Sequence, residues 1–169
     1  MQLTTNGVEL YYRVEGQGDP ALVMHGGLGV DHTPFVNSSF NTLADRLKLV
    51  YYDHRCNGRS GCPGIESLTH ENLATDAEGL RVALGLEQPT VIGHSYGGFV
   101  ALAYALRYSS KPRRLILITT APSYETLNEA RAEAMSRAPE LMPAVERSLN
   151  AEAKNNAERR AIMAELAPL

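Results

Sequence analysis

Four short apolar runs, Ala21-Leu22-Val23-Met24, Leu49-Val50-Tyr51-Tyr52, Thr90-Val91-Ile92 and Leu115-Ile116-Leu117-Ile118, are spaced along the chain by segments long enough for a turn and a helix. Uninterrupted runs of this length suit strands buried on both faces, as in a parallel sheet, rather than a half-exposed sheet with its alternation. The segments between them carry helical periodicity. Phe40, Leu43, Ala44 and Leu47 fall near one stripe and predict a mostly helical stretch from about Phe35 to Leu47. Thr69 followed by Asn72 predicts a capped helix ending at Gly85, and Tyr96 to Arg107 predicts another. Strand, helix, strand, helix, strand predicts an α/β fold with a mostly parallel sheet and right-handed crossovers. Ahead of it, Leu3–Thr5 and Val8–Val14 flank Asn6-Gly7, a dipeptide suited to a tight antiparallel hairpin.

Hydrophobic residues make up 44% of the 169 and charged residues 21%, enough apolar side chain for a globular core. The formal charge of -3, without a local Lys/Arg run, offers no basic field for a nucleic acid backbone. Met1–Thr5 lacks the basic-then-apolar pattern of a signal peptide, and no window approaches the roughly 18 apolar residues of a membrane span, so a cytoplasmic chain without membrane partners is expected. Cys56 and Cys62 are expected as two free thiols. After Pro122 glycine disappears and Ala, Glu and Arg accumulate. Residues 123–169 therefore read as a separate helical segment, about Tyr124 to Arg137 and Ala144 to Glu165, divided by Pro139 and Pro143.

The chemistry concentrates in Gly93-His94-Ser95-Tyr96-Gly97, a G-x-S-x-G pattern between a strand and a helix. A serine on such a turn is held in a strained backbone, and glycines two positions away on either side remove Cβ atoms that would clash. Ser95 is thus the candidate nucleophile, against the plainer alternative of a serine that only caps the helix. Attack on an acyl carbon creates an oxyanion, which backbone N–H groups aimed in advance stabilise. Tyr96, next in the chain, is one expected donor. The other is Gly27 or Leu28, from the His25-Gly26-Gly27-Leu28-Gly29 loop at the carboxyl end of a strand. His25 is expected to order that loop, and Asp53, His54, Arg55 and Arg59 to pair with each other and with loop backbone at the pocket rim. His94 is expected to pack locally, pointing away from the attack direction, and His32 and His70 to be surface or helix-start residues. No metal-ligand spacing is present, and the G-x-G-x-x-G spacing of the loop is incomplete, so neither a metal nor another cofactor is expected.

His25-Gly26-Gly27-Leu28-Gly29, Asp53-His54-Arg55-Cys56-Asn57-Gly58-Arg59-Ser60 and Gly93-His94-Ser95-Tyr96-Gly97-Gly98, in this order, resemble the α/β-hydrolase superfamily, in particular proline iminopeptidases and related esterase-like small-molecule hydrolases. The resemblance covers about residues 5–122. It implies a partial α/β-hydrolase core over 1–122, a truncated helical cap or lid over 123–169, and a small-molecule or short-peptide substrate. It also implies Ser95 as nucleophile, with Tyr96 and Gly27 or Leu28 as oxyanion donors. Leu28 stands where iminopeptidases usually have proline, and Cys56 replaces a glycine common in the family's Asp-x-Arg-Gly-x-Gly-x-Ser motif. A complete member carries its acid and its histidine base on loops after two later strands. The chain therefore resembles the amino-terminal part of a hydrolase, without acid or base, and the strand at 115–118 is expected to expose an apolar edge inviting self-association. A prolyl aminopeptidase-type activity, with Glu125, Glu129, Glu133, Glu140 or Glu146 binding the amine, and an inactive binding or assembly module are the alternatives.

Overall fold

The computed structural model describes residues 1–27, 29–149 and 161. Strands β1 (Gln2–Thr5) and β2 (Val8–Glu15) form the opening hairpin, with Asn6 and Gly7 at φ 47° and 71°. Both values lie where the tight turn between twisted strands needs them, which is why Asn-Gly stands there. Strands β3 (Asp19–Met24), β4 (Leu47–Tyr52), β5 (Thr90–His94) and β6 (Arg114–Ile118) complete a six-stranded sheet in the order β1-β2-β4-β3-β5-β6. The β3–β4, β3–β5 and β5–β6 pairs are parallel, whereas β2 joins β4 antiparallel.

The sheet is covered on both faces. Helices α2 (His70–Ala83) and α3 (Tyr96–Arg107) pack Leu73, Ala77, Leu80, Val100 and Tyr104 onto Leu22, Met24, Val50, Tyr52 and Val91. On the other face Phe35, Val36, Phe40 and Ala44 cover Ala21, Val23, Leu49, Tyr51 and Ile92. Thr69 caps α2 by accepting the Asn72 N–H at 3.2 Å, and Gly85 follows its end with φ 62°. The segment expected as one helix from Phe35 to Leu47 is instead a four-residue helix α1 (Thr33–Val36), a 3₁₀ stretch at Ser39–Asp45 and the start of β4. Ser38 causes the break, since its extended backbone and its hydroxyl, which accepts the Phe40 N–H, start a new turn.

On β6, Leu115, Ile116 and Leu117 are 37%, 43% and 41% exposed at the sheet's edge, as the sequence led us to expect of that strand. The chain divides into two compact units, Met1–Pro122 and Ser123–Leu169. In the second, Ser123 caps α4 (Tyr124–Arg137), a 3₁₀ turn covers Pro139–Leu141, and α5 runs over Met142–Leu149. Pro143 does not divide helices, because it stands in the first turn of α5, where its missing N–H costs nothing. The part of the expected helix beyond residue 149 lies, except for residue 161, outside the described residues.

Candidate active site

Ser95 joins β5 to α3 with φ 52° and ψ -119°, a left-handed backbone that a residue with a side chain rarely adopts. Its neighbours enforce it. A Cβ on Gly93 would strike the Gly97 carbonyl and stand 2.7 Å from the Ala101 Cβ, and one on Gly97 would strike the Met24 carbonyl. One on Gly98 would overlap Thr120. The turn is anchored by the Ser95 N–H, which donates to the Ile118 carbonyl at 2.9 Å, and by the Ser95 carbonyl, which accepts from the Gly98 N–H at 2.9 Å. The Ser95 hydroxyl makes no capping bond, so the serine is not simply a helix cap.

The carboxyl end of β3 runs directly against this turn. A Cβ on Gly26 would lie 2.7 Å from His94 Nδ1 and 2.9 Å from the Ser95 Cβ, so only glycine lets the two loops touch. Gly27 and Gly29 have φ 68° and 75°. Ser95 and Gly27 border one cavity of about 430 Å³, whose other walls are His25, His94, Asp31 and Ser38 with the apolar Val30, Pro34, Phe35, Phe40 and Ile118. Tyr96 begins α3, where first-turn N–H groups have no intrahelical partner. Its side chain turns to His70 and Phe99, with ring centroids 5.7 and 6.2 Å away. Leu28 lies outside the described residues.

Behind the cavity stands a buried set of polar groups. His25 donates from Nδ1 to the Gly26 carbonyl at 2.9 Å and accepts the His54 N–H on Nε2 at 3.0 Å, while His54 Nε2 donates to the His25 carbonyl at 3.1 Å. These bonds use both ring nitrogens of His25 in its neutral form, as expected of a loop-ordering residue. Burial lowers the pKa of both rings, and for His54 the neighbouring His25 adds to it. Among the described residues, His54 Nδ1 is buried without a hydrogen-bond partner. For Asp53 burial favours the neutral acid, but hydrogen bonds from the His32 ring at 2.6 Å, the Arg59 N–H at 2.9 Å and the His32 N–H at 3.1 Å outweigh it. They hold the carboxyl at about 2.

Three expectations need correction here. His32 stands at the start of α1 as its N-cap, one of its two expected places, but it is not a surface residue, being 2% exposed and stacked between Tyr11 and Tyr51 with its ring on Asp53. Nor are Cys56 and Cys62 free thiols, because they form a disulfide. The turn between them brings the two sulfurs together, and Cys56 takes φ 59° where a glycine would be at ease. Arg55 also departs from the rim, since both ends of its guanidinium grip Asp76 on α2 at 2.6 Å. His94 packs edge-on against Phe35 and borders the cavity beside Ser95.

A family model of the α/β-hydrolase fold matches residues 20–162, most of the chain. The chain belongs to the α/β-hydrolase fold family. A proline iminopeptidase, PfmaB, of Pestalotiopsis fici is 35% identical over 123 residues, covering 70% of this chain and 43% of that protein. The AB hydrolase superfamily protein YclE of Bacillus subtilis is 31% identical and covers 76% and 44%. Among solved structures, the meta-cleavage product hydrolase CumD of Pseudomonas fluorescens superposes with a TM-score of 0.68 at 26% identity, covering 73% of this chain and 46% of that one. A proline iminopeptidase-related protein of Thermus thermophilus superposes at 0.65 with 29% identity, covering 71% and 44%. The chain thus spans less than half the length of these relatives.

In this α/β-hydrolase chain, sequence reasoning missed Asn57. It is 2% exposed, accepts the Gly29 N–H on Oδ1 at 2.6 Å and donates from Nδ2 to the Arg55 carbonyl at 2.7 Å. Only the tertiary pairing of two loops 28 residues apart gives it that place. Of the glutamates weighed as amine binders, Glu133 pairs with Arg137 and Glu146 with Arg131, each at 2.6 Å on exposed surface. No helix among the described residues is long and apolar enough to cross a membrane.

Proposed function

We propose that this chain carries the nucleophile and oxyanion site of a serine hydrolase acting on an ester, amide or related acyl bond of a small molecule. The observation that carries the proposal is the strained Ser95 at the head of α3, its hydroxyl uncommitted to a cap, on the same apolar-walled cavity as Gly27. Ser95 Oγ attacks the acyl carbon as a base takes its proton, and the leaving group departs with a proton returned by that base. Water then releases the acyl group by the same route in reverse roles. The N–H groups of Tyr96 and of Gly27 or Leu28 hold the oxyanion in both steps. His25 and His54 are engaged with each other, His32 with Asp53, while His94 packs edge-on against Phe35 and His70 against Tyr96 and Phe99. The base and its carboxylate are therefore assigned to later segments of the kind that the relatives' greater length provides, with residues 123–169 as the beginning of a cap.

The relatives named as proline iminopeptidases favour a second substrate class, a short peptide with a free amino-terminal residue. Neutralising Glu129 or Glu140 then weakens an amine-bearing substrate and spares its neutral ester analogue, and equal effects on both remove this class. Self-association through β6 belongs to the same proposal, and a chain that sediments as a monomer at every attainable concentration contradicts it. The nucleophile is tested by intact-mass analysis after treatment with a fluorophosphonate, with Ser95→Ala as control. A single adduct lost in the control supports an activated Ser95; an unlabelled, folded chain shows the serine inactive without further groups.

A further inference from the structure

The disulfide and the oxyanion loop are linked by one side chain. Among the described residues, Asn57 is the one side chain that accepts a hydrogen bond from a backbone N–H of the 26–29 loop. Its neighbour in sequence is Cys56, bonded to Cys62 five positions beyond Asn57. The bridge therefore closes a small ring that contains Asn57, Arg59 and Ser60. Within it the Cys56 N–H donates to the Gly61 carbonyl at 2.9 Å, and the Ser60 hydroxyl ties the ring to the Asp53 carbonyl at 2.6 Å. Cys56 keeps a left-handed φ of 59° although it carries a side chain, a conformation that the covalent ring helps to hold. Cys62 is exposed at the surface, while Asn57 is buried. The ring thus carries an exposed cysteine on its outside and an oxyanion-loop contact on its inside.

We propose that Cys56–Cys62 is a thiol–disulfide exchange site whose oxidised state positions the oxyanion loop through Asn57. The reductant is a dithiol. Its thiolate attacks Cys62 Sγ, the Cys56–Cys62 bond breaks, and Cys56 leaves as a thiolate that takes up a proton. The second thiol of the reductant then displaces Cys62, which is protonated in turn, and the reductant leaves as a cyclic disulfide. Two electrons and two protons have passed to the protein. With the ring open, Cys56 no longer has a covalent reason to stay left-handed, Asn57 moves with it, and the Gly29 N–H loses its acceptor. Asn57 is a positioning residue in this scheme. Its effect on catalysis rests on the serine-hydrolase proposal above, but its effect on the loop does not.

The test is amide hydrogen exchange on the full chain, oxidised and after dithiol treatment, with intact mass confirming a gain of two hydrogens. Exchange in the peptide containing Gly26–Gly29 is expected to quicken about tenfold on reduction, while α2 and the central strands keep their protection. Cys62→Ser should show the fast rate with or without dithiol, and Asn57→Ala should show it with the disulfide intact. Unchanged exchange at 26–29 in the reduced chain overturns the proposal, as do free thiols in the air-oxidised protein or a loss of protection spread over the whole sheet. Fluorophosphonate labelling of Ser95, followed in parallel, separates the two proposals. Faster loop exchange on reduction upholds the redox-linked loop whether or not Ser95 is labelled, and an unlabelled Ser95 bears on the hydrolase proposal alone.

Discussion

Replacing Arg55 by methionine should be among the most damaging single changes in the first unit. Arg55 is 3% exposed and Asp76 fully buried, and two hydrogen bonds of 2.6 Å join them. Once the guanidinium is gone, Asp76 keeps a single described side-chain partner, Asn6 Nδ2 at 2.9 Å, and no countercharge. Leaving a buried carboxylate unpaired costs about 3–5 kcal/mol, whereas removing both charges for apolar groups of similar volume is often close to neutral. The Arg55→Met chain should therefore lose about 3–5 kcal/mol, and Arg55→Met with Asp76→Leu should recover at least half of it. Urea unfolding followed by tyrosine fluorescence measures this directly, because the chain has no tryptophan and seven of its eight tyrosines precede Ser123. Equal urea dependence among the variants shows that stability alone has changed. A single mutant that loses less than about 1 kcal/mol, or a double mutant that loses as much as the two singles together, would refute the account of a mutually dependent pair.

Gly26→Ala places a methyl 2.7 Å from His94 Nδ1, so about 1–3 kcal/mol of stability and most Ser95 labelling should go, as urea unfolding and intact mass will show. His25 and His54 have pKa values lowered on folding, so the unfolded chain takes up their protons first as pH falls through about 6.5. Stability should decline below that pH by up to about 1.4 kcal/mol per pH unit per histidine, and a flat profile between pH 7 and 5 in urea titrations would contradict the neutral pair. Asp53, held at about 2 against 3.8 unfolded, contributes roughly 2.5 kcal/mol that is present above pH 4 and lost as pH falls toward 2. The Asp53→Asn chain should lack this last acid step; if the step persists, its source is another carboxyl.

The strand–turn–helix around Ser95 was legible because everything it needs lies within a dozen residues. The apolar run of β5, glycines at 93, 97 and 98, and the helical pattern of Val100 and Tyr104 are all local. The hairpin at Asn6-Gly7 and the capped helix α2 were readable for the same reason. Asp53 and His32 were not, since their bond joins residues 21 apart and the stacking of His32 on Tyr11 and Tyr51 depends on two strands meeting. Proximity in sequence points Arg55 to the charges of its own loop, whereas its partner, the buried Asp76, stands on a helix behind the sheet. The disulfide escapes the sequence because two cysteines alone do not suggest a disulfide scaffold, and the approach of their sulfurs depends on the path of the intervening turn.

The contact between Gly26 and the Ser95 turn divides the molecule into positions that can change and positions that cannot. A Cβ on Gly93 would strike the Gly97 carbonyl and one on Gly97 the Met24 carbonyl, so enlarging either requires the backbone itself to move, while one on Gly26 would press on His94 and Ser95. Val30, Phe35 and Phe40 meet the cavity instead, and their substitutions alter its shape without entering that contact. Descendants of such a chain are free to reshape the cavity one mutation at a time, while the ground on which Ser95 stands is inherited whole or lost.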